Sequence, residues 1–149
     1  MTADEVVGLL GLRPLAQEGG MWAQTWLDDR SSAICYLLRP GDFSAVHRLA
    51  GTEIWHHYCG AAAEVLLLRP DSTVARPVLG PDLAAGQRPV LAVPADTWTA
   101  AGTTEDWSLV GTTMAPPFDQ AGFELGDADR LAAQYPEAAA DIARFTRPA

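Results

Sequence analysis

GDFSAVHRLAGTEIWHHYCG, residues 41–60, holds all three histidines of the 149-residue chain and, inside an apolar run, the carboxylate Glu53. Burying an ionisable side chain without a partner costs several kcal/mol, so chains that keep such groups among strand-forming residues usually use them. No other segment of the sequence concentrates so many titratable groups. We therefore expect the functional site to lie in this stretch.

Two antiparallel strands are predicted within the same stretch. Residues 43–49 and 52–58 are rich in apolar, β-branched and aromatic residues, and the connection between them is very short. Such a connection normally returns the chain as a hairpin. Because strand side chains alternate between faces, Glu53 and His57 are predicted to share one face. His47 is predicted to face the same cavity from the neighbouring strand.

Short apolar segments separated by turn residues continue through most of the chain. Turn signals recur roughly every 8–12 residues with no helical pattern between the segments, which indicates an antiparallel sandwich or barrel. Thr2 and Glu5 form a capping box that predicts a short N-terminal helix. Asp127 and Pro136 predict two helices near the C-terminus. The fold class is therefore predicted to be all-β with short terminal helices.

No linker, internal repeat or low-complexity tract divides the sequence. Its length is sufficient for one hydrophobic core. We predict a single domain, 1–149, with a barrel core from about 18 to 118 and a helical tail from about 127 to 147.

The charge balance narrows the range of partners. A net charge of −9 and an isoelectric point near 4.5 repel nucleic acid and anionic membrane surfaces, so neither is predicted as a partner. No apolar run approaches the ~20 residues needed to cross a bilayer. The first residues, MTADE, are acidic where a secretory leader would be basic, and the two cysteines are expected to be reduced. A cytoplasmic location is predicted.

The spacing of five residues in the opening stretch resembles the first signature motif of the cupin superfamily. That motif places a glycine, a histidine, a second ligand, a glutamate and a closing glycine at fixed intervals. The positions are filled here by Gly41, His47, Leu49, Glu53 and Gly60.

Other segments are similar to one branch of that superfamily, the cupin-5-like proteins, long labelled a domain of unknown function. Residues 36–44, 79–87 and 110–125 contain the short sequence motifs of this branch in the same order, and the resemblance extends from about Glu18 to Tyr135. It implies a jelly-roll barrel, a cupin-type antiparallel double-stranded β-helix. It also implies a small-molecule ligand and a homodimer.

The superfamily motif implies that His47 and Glu53 could bind a metal, but two other ligand positions are filled by unsuitable residues. Leu49 and Thr99 stand where metal-binding cupins carry histidines; leucine cannot ligate, and threonine is a poor ligand for a transition metal. We therefore expect no metal cofactor. The alternative is that His57 supplies a third ligand, completing a site for a divalent metal such as Fe, Ni or Zn in a cupin oxygenase.

Proton transfer is the chemistry that the remaining groups favour. A carboxylate and an imidazole facing each other across an apolar cavity act as acid and base near neutral pH. Metal-free cupins that resemble this chain, such as sugar-nucleotide epimerases, use a histidine base. His47 is predicted to be the base, Glu53 its partner and His57 a further catalytic residue of a metal-independent lyase, isomerase, epimerase or cyclase.

Two alternatives to this enzyme hypothesis involve no catalysis. The same cavity could serve a protein that only binds its ligand, and His47 and Glu53 could hydrogen-bond merely to hold the hairpin.

Aromatic and polar residues are predicted to line the cavity. The related branch usually carries an arginine and a glutamate shortly after its Glu-Gly-Gly phrase, where this chain has Ala23 and Gln24. An arginine would bind a carboxylate or phosphate, so its absence points to a neutral, apolar or aromatic small molecule. The predicted substrate-binding residues are Trp22, Gln24, Tyr36, Trp55, His56, Trp98 and Thr99.

Overall fold

The structure, a computed structural model, describes residues 1–148. Within them lie twelve strands, three α-helices and two short 3₁₀ turns, the latter at Gln120–Gly122 and Pro136–Ala138. The helices are α1 (Ala3–Leu10), α2 (Ala128–Gln134) and α3 (Ala139–Arg144). The strands are β1 (Arg13–Pro14), β2 (Met21–Leu27), β3 (Ser32–Leu38), β4 (Ser44–Leu49), β5 (Glu53–Gly60), β6 (Ala63–Leu68), β7 (Val74–Ala75), β8 (Val78–Leu79), β9 (Val90–Val93), β10 (Trp98–Thr103), β11 (Ser108–Met114) and β12 (Phe123–Leu125).

Two antiparallel sheets face each other across an apolar interior. One sheet has the strand order β1-β2-β3-β11-β5-β9, and the other has the order β12-β4-β10-β6-β7 with β8 also paired to β6. Side chains from both sheets, such as Trp55, Val110 and Leu67, form the core between them. The predicted all-β fold with short terminal helices is confirmed.

The predicted hairpin between β4 and β5 is wrong. β4 pairs with β10 and β12, whereas β5 pairs with β11 and β9, so the short connection crosses from one sheet to the other. The ends of the connection bond elsewhere: the Ala50 N–H donates to the Gly122 carbonyl at 3.0 Å, and the Leu49 carbonyl accepts from Asp96 N–H at 2.9 Å. His47 and Glu53 therefore lie on facing sheets instead of neighbouring strands.

Helices pack against the outer faces of both sheets. α1 begins with the predicted capping box of Thr2 and Glu5 and buries Val6 against the first sheet, beside Leu37 and Leu109. Its length and apolar content, like those of every other helix within residues 1–148, are insufficient to cross a membrane.

The C-terminal helices pack against the second sheet. Leu131 of α2 and Ile142 of α3 are buried on its outer face, in one apolar cluster with Trp98 of β10. The Asp127 side chain caps α2 by accepting the Arg130 N–H at 2.9 Å, as predicted. The tail thus closes the side of the barrel on which β4 and its histidine lie.

Candidate active site

A cavity of about 270 Å³ opens between the two sheets. Two carboxylates, Glu18 and Glu53, line it. No basic side chain of the described residues is among the lining residues. The other residues that line it are mostly aromatic or aliphatic: Leu15, Ala16, Trp22, Gln24, Leu27, Ser32, Ile34, Tyr36, Leu49, Trp55, Thr112, Met114, Phe118, Gln120 and Phe123.

Glu53 is the buried carboxyl group of this cavity. It begins β5, is 8% exposed, and its Oε1 accepts a hydrogen bond from Trp55 Nε1 at 2.7 Å. Burial raises its pKa to about 7, although the charge of His47 and the hydrogen bond from Trp55 act in the opposite direction, and the negative charge of Glu18 raises it further. The group can therefore donate or accept a proton near neutral pH.

His47 lies behind the cavity wall. Its side chain is 1% exposed, and its ring stacks on Phe123 with 5.5 Å between centroids. Its Nδ1 lies 2.7 Å from the Ala45 carbonyl, which can only accept a hydrogen bond, so Nδ1 carries a hydrogen. The other nitrogen, Nε2, lies 3.4 Å from Glu18 Oε1. Nε2 is thus the atom of this ring that can gain or lose a proton, and it faces Glu18.

Glu18 connects the imidazole with the cavity. It lies in the turn between β1 and β2, and its second oxygen, Oε2, accepts from the Ser44 hydroxyl at 3.1 Å. Sequence analysis did not select it, because a residue in a turn has no side-chain periodicity to show which way it faces. The available signal was its position directly before two glycines, which allows a close approach of the backbone to its neighbours.

The structure brings four of the predicted binding residues to the cavity: Trp22, Gln24, Tyr36 and Trp55. Tyr36 and Trp55 meet edge to face with their centroids 6.1 Å apart, and both are 1% exposed. These two rings form a rigid apolar wall beside Glu53.

Three other predicted binding residues do not line the cavity. His56 contacts the Thr113 hydroxyl at 3.0 Å through Nε2 and stacks on Tyr58, and neither of these neighbours lines the cavity. Trp98 belongs to the cluster under the C-terminal helices, with the Arg48 guanidinium 4.5 Å above its ring. Thr99 pairs in register with His47, but its buried hydroxyl has no hydrogen-bond partner within residues 1–148.

His57 does not join Glu53, although the two share a face as alternation predicts. They are four positions apart along β5, which is roughly 13 Å at the rise of a strand, and Trp55 lies between them. His57 Nε2 instead lies 3.1 Å from the Ala61 carbonyl. The structure therefore does not assemble the alternative metal set of His47, Glu53 and His57. In the part of the chain that is described, no three His, Cys, Asp or Glu side chains are grouped to hold a metal ion.

Two aromatic residues after β11, one in the loop and one at the start of β12, complete the cavity and were missed by sequence analysis. Phe118 and Phe123 meet edge to face with 6.4 Å between centroids. Phe118 is 43% exposed and Leu27 is 61% exposed, so the rim of the cavity is apolar and open to solvent. Phe118 lies in a loop without a strand period, and β12, which Phe123 begins, is only three residues long, so only the tertiary structure places the two rings over the opening.

Two antiparallel sheets that close around one cavity define the class of jelly-roll β barrels. The chain belongs to the cupin superfamily, in the family described as Cupin_5 (DUF985), whose model matches residues 4–126. The predicted family is thereby confirmed. No functionally curated protein was found to match the chain in sequence.

Solved structures agree with this assignment. Protein SO0799 from Shewanella oneidensis is 32% identical in sequence and superposes with a TM-score of 0.92. The match covers 100% of this chain and 99% of that protein. A hypothetical protein from Leishmania major is 22% identical over 99% of this chain and 100% of its own, with a TM-score of 0.88. Oxalate decarboxylase from Lactobacillus farciminis, 13% identical, matches 93% of this chain and 43% of its own with a TM-score of 0.60, which shows the shared fold alone.

Proposed function

We propose that this protein is a metal-independent enzyme that transfers protons on a small, neutral, apolar or aromatic molecule, as a lyase, isomerase, epimerase or cyclase. The observation that carries the proposal is the pair of carboxyl groups with different surroundings in one cavity. Glu53 is buried against Trp55, whereas Glu18 contacts an imidazole. Two carboxyl groups held in different surroundings within one site are the usual basis of an acid and base pair.

Glu18 and His47 together act as the base in this proposal. Only Glu18 of the two reaches the cavity, so the substrate gives its proton to the Glu18 carboxylate. Nε2 of His47 stays beside the newly protonated carboxyl group, because the Nδ1 hydrogen holds the ring on the Ala45 carbonyl. His47, predicted from sequence to be the base, therefore supports the base from behind.

Glu53 acts as the acid. Its raised pKa leaves a substantial fraction of the carboxyl group protonated at neutral pH, which suits a group that donates a proton in the same pH range. The Trp55 indole holds one of its oxygens and fixes the orientation of the carboxyl plane. Proton removal by Glu18 and proton delivery by Glu53 can then occur at different positions of one bound molecule.

The surroundings of the two carboxyl groups favour a neutral substrate. Two carboxylates and no cationic side chain of the described residues line the cavity, so an anion would meet only repulsion there. Gln24 and Gln120 supply polar contacts, and the aromatic walls supply most of the contact area. The apolar rim at Leu27 and Phe118 is compatible with entry of an apolar molecule.

A ligand screen followed by solvent exchange tests this function. Thermal shift would rank neutral aromatic ketones, lactones and phenols against sugar phosphates, and each binder would then be incubated with the protein in D₂O and followed by mass spectrometry. We expect neutral aromatic binders to gain deuterium, with the rate lowered by about 10²–10⁴ in Glu18→Gln and His47→Ala.

The matched control is Glu105→Gln, which removes an exposed carboxylate outside the cavity and should exchange like the wild type. Tight binding without deuterium exchange would replace the enzyme by a protein that only binds its ligand. A preference for sugar phosphates would overturn the proposed substrate class.

A further inference from the structure

The turn that carries Glu18 is held from behind by a residue of the C-terminal tail. Arg147 Nη1 donates to the Glu18 carbonyl at 2.7 Å, and Nη2 donates to the Phe43 carbonyl at 2.7 Å and to Asp42 Oδ1 at 3.3 Å. One guanidinium therefore joins the Glu18 turn to the segment that leads into β4. That strand carries His47, so Arg147 connects the two members of the proposed base.

The two glycines after Glu18 allow this close contact because they have no side chain. Gly19 has φ +94°, and a Cβ atom there would overlap the Arg147 guanidinium. Gly20 has φ +78°, and a Cβ atom there would overlap the Tyr36 ring, whose hydroxyl donates to the Gly19 carbonyl. The backbone of the turn is thus enclosed by Arg147 on one side and Tyr36 on the other.

Arg147 itself is fixed by the docking of the tail. Its guanidinium lies 4.1 Å above the Phe43 ring, and Phe43 packs edge to face on Phe145 with 5.7 Å between centroids. Phe145 is 3% exposed, and its carbonyl accepts from the Val46 N–H at 3.0 Å. The tail therefore packs against β4 directly beside His47, and these contacts fix the position of the Arg147 guanidinium.

We infer that Arg147 is a positioning residue, which sets the Glu18 carboxylate against Nε2 of His47 without entering the cavity. The Glu18 carbonyl would keep its second bond, from Ala45 N–H at 2.8 Å, if the guanidinium were removed. The turn would then stay attached but lose the fixed orientation that three hydrogen bonds from one planar group impose. The inference goes beyond the proposed function, because it assigns a role in the site to a segment outside the matched family region, residues 4–126.

The imidazole nitrogens of the chain provide a test that needs no substrate. Nitrogen-15 NMR of the three histidines would be recorded against pH for wild type, Arg147→Ala and Arg147→Lys. His56 and His57 lie outside the cavity and serve as internal references, and His47→Gln assigns the third signal. The matched control is Arg144→Ala on the same tail, since Arg144 bonds Glu64 and Asp141 instead of the turn.

We expect Arg147→Ala and Arg147→Lys to displace the Nε2 signal of His47 from its wild-type position at the same pH, because the Glu18 carboxylate no longer has a fixed place beside that nitrogen. Lysine keeps the positive charge but cannot make the three bonds together, so a change in Arg147→Lys reports geometry and not charge. Arg144→Ala should leave the His47 signals in place. These readings do not depend on whether the protein proves to be an enzyme.

Unchanged His47 signals in a folded Arg147→Ala protein would overturn the inference and leave the tail a packing element only. If Arg147→Ala does not fold, as judged by its amide spectrum, Arg147→Lys decides alone. His47 signals identical to wild type in that variant would likewise overturn the inference.

Discussion

At the scale of single residues, the surroundings of each carboxyl group decide its chemistry. Glu53 is enclosed by apolar side chains, and its pKa is raised to about 7 because burial disfavours the charged form. Glu18 instead has His47 at one oxygen and the Ser44 hydroxyl at the other. The same side-chain type can thus serve as acid in one position and as base in the other.

The stability of the protein should depend on pH through Glu53. Its pKa in the folded state, about 7, lies above the ordinary value of 4.5, so the native protein holds a proton that the unfolded chain releases between these values. The stability linked to this proton is fully present below pH 4.5 and is lost as pH rises through 7. A shift of this size corresponds to about 3 kcal/mol at most.

Glu53→Gln, which cannot ionise, should therefore gain stability over wild type as the pH increases. Urea unfolding at pH 4.5, 6 and 8 would measure the difference, which we expect to be near zero at the first pH and about 2–3 kcal/mol in favour of the variant at the last. Glu105→Gln should show no such trend. A difference that stays constant across the series would contradict the raised pKa.

Residue-scale prediction from sequence succeeded where a strand period was available. Glu53, Trp55 and Tyr36 lie on regular strands, and their placement in the cavity follows from alternation and composition. Glu18 lies in a turn and Phe118 in a loop, where no period exists, so their positions depend on contacts between distant segments. Thr99 and His56 were selected by resemblance or by strand position, and neither lines the cavity.

At the scale of elements, the crossing between β4 and β5 is what makes the site. The sequence predicted both strands within a residue or two, but its local signals could not show that they pair with partners far along the chain. A hairpin would have left His47 and Glu53 beside each other on one sheet. Because the connection changes sheets, the two side chains approach from opposite sides of the barrel, and Glu18 from a third element completes the arrangement.

The turn between β1 and β2 is the second element on which the site depends. Gly20 has φ +78° and no room for a Cβ atom beside Tyr36, so Gly20→Ala carries both backbone strain and overlap. We expect a loss of about 3 kcal/mol in the free energy of unfolding, measured with urea.

Gly41→Ala is the matched control for that substitution. Gly41 has a similar φ, +79°, but nothing lies within 4 Å of the position that an added methyl group would occupy, so only backbone strain applies. A loss of about 1–2 kcal/mol is therefore expected. Equal losses in the two variants would show that the Tyr36 contact does not constrain the turn.

At the scale of the whole molecule, the two sheets bury one core between them and short helices pack against part of each outer face. Turn spacing and composition were sufficient to predict this architecture, because every short strand needs an apolar face and most connections are only a few residues long. Which side chains of one sheet contact which side chains of the other could not be predicted, because packing across the interior determines those contacts. In the part of the chain that the structure describes, one edge of the first sheet remains uncovered.

That edge is the basis of the expected homodimer. β1 pairs with β2 only at Met21 and Trp22, so within residues 1–148 the rest of β2 has no strand beside it on that side, and Trp26 is 57% exposed. Uncovered edges favour pairing with another chain. We predict a mass of twice 15.9 kDa by light scattering, reduced to 15.9 kDa in Trp26→Glu.

Tyr58→Glu is the matched control for the dimer, because Tyr58 is also an exposed aromatic residue, 51% exposed, but lies on β5 in the interior of the sheet order. It should remain dimeric. A monomeric wild type, or a dimer lost only in Tyr58→Glu, would contradict pairing through β2.

The central claim is that the buried carboxyl group of Glu53 and the Glu18–His47 pair act on each other, with both carboxyl groups lining one cavity and the imidazole behind its wall. Carbon-13 NMR titration of the Glu53 carboxyl carbon tests it most directly, because it needs neither a substrate nor a partner. The account predicts a pKa of about 7 in the wild type, lowered in Glu18→Gln and raised in His47→Gln, since Glu18 and His47 shift it in opposite directions. A wild-type value near the ordinary 4.5, unchanged in both variants, would contradict it.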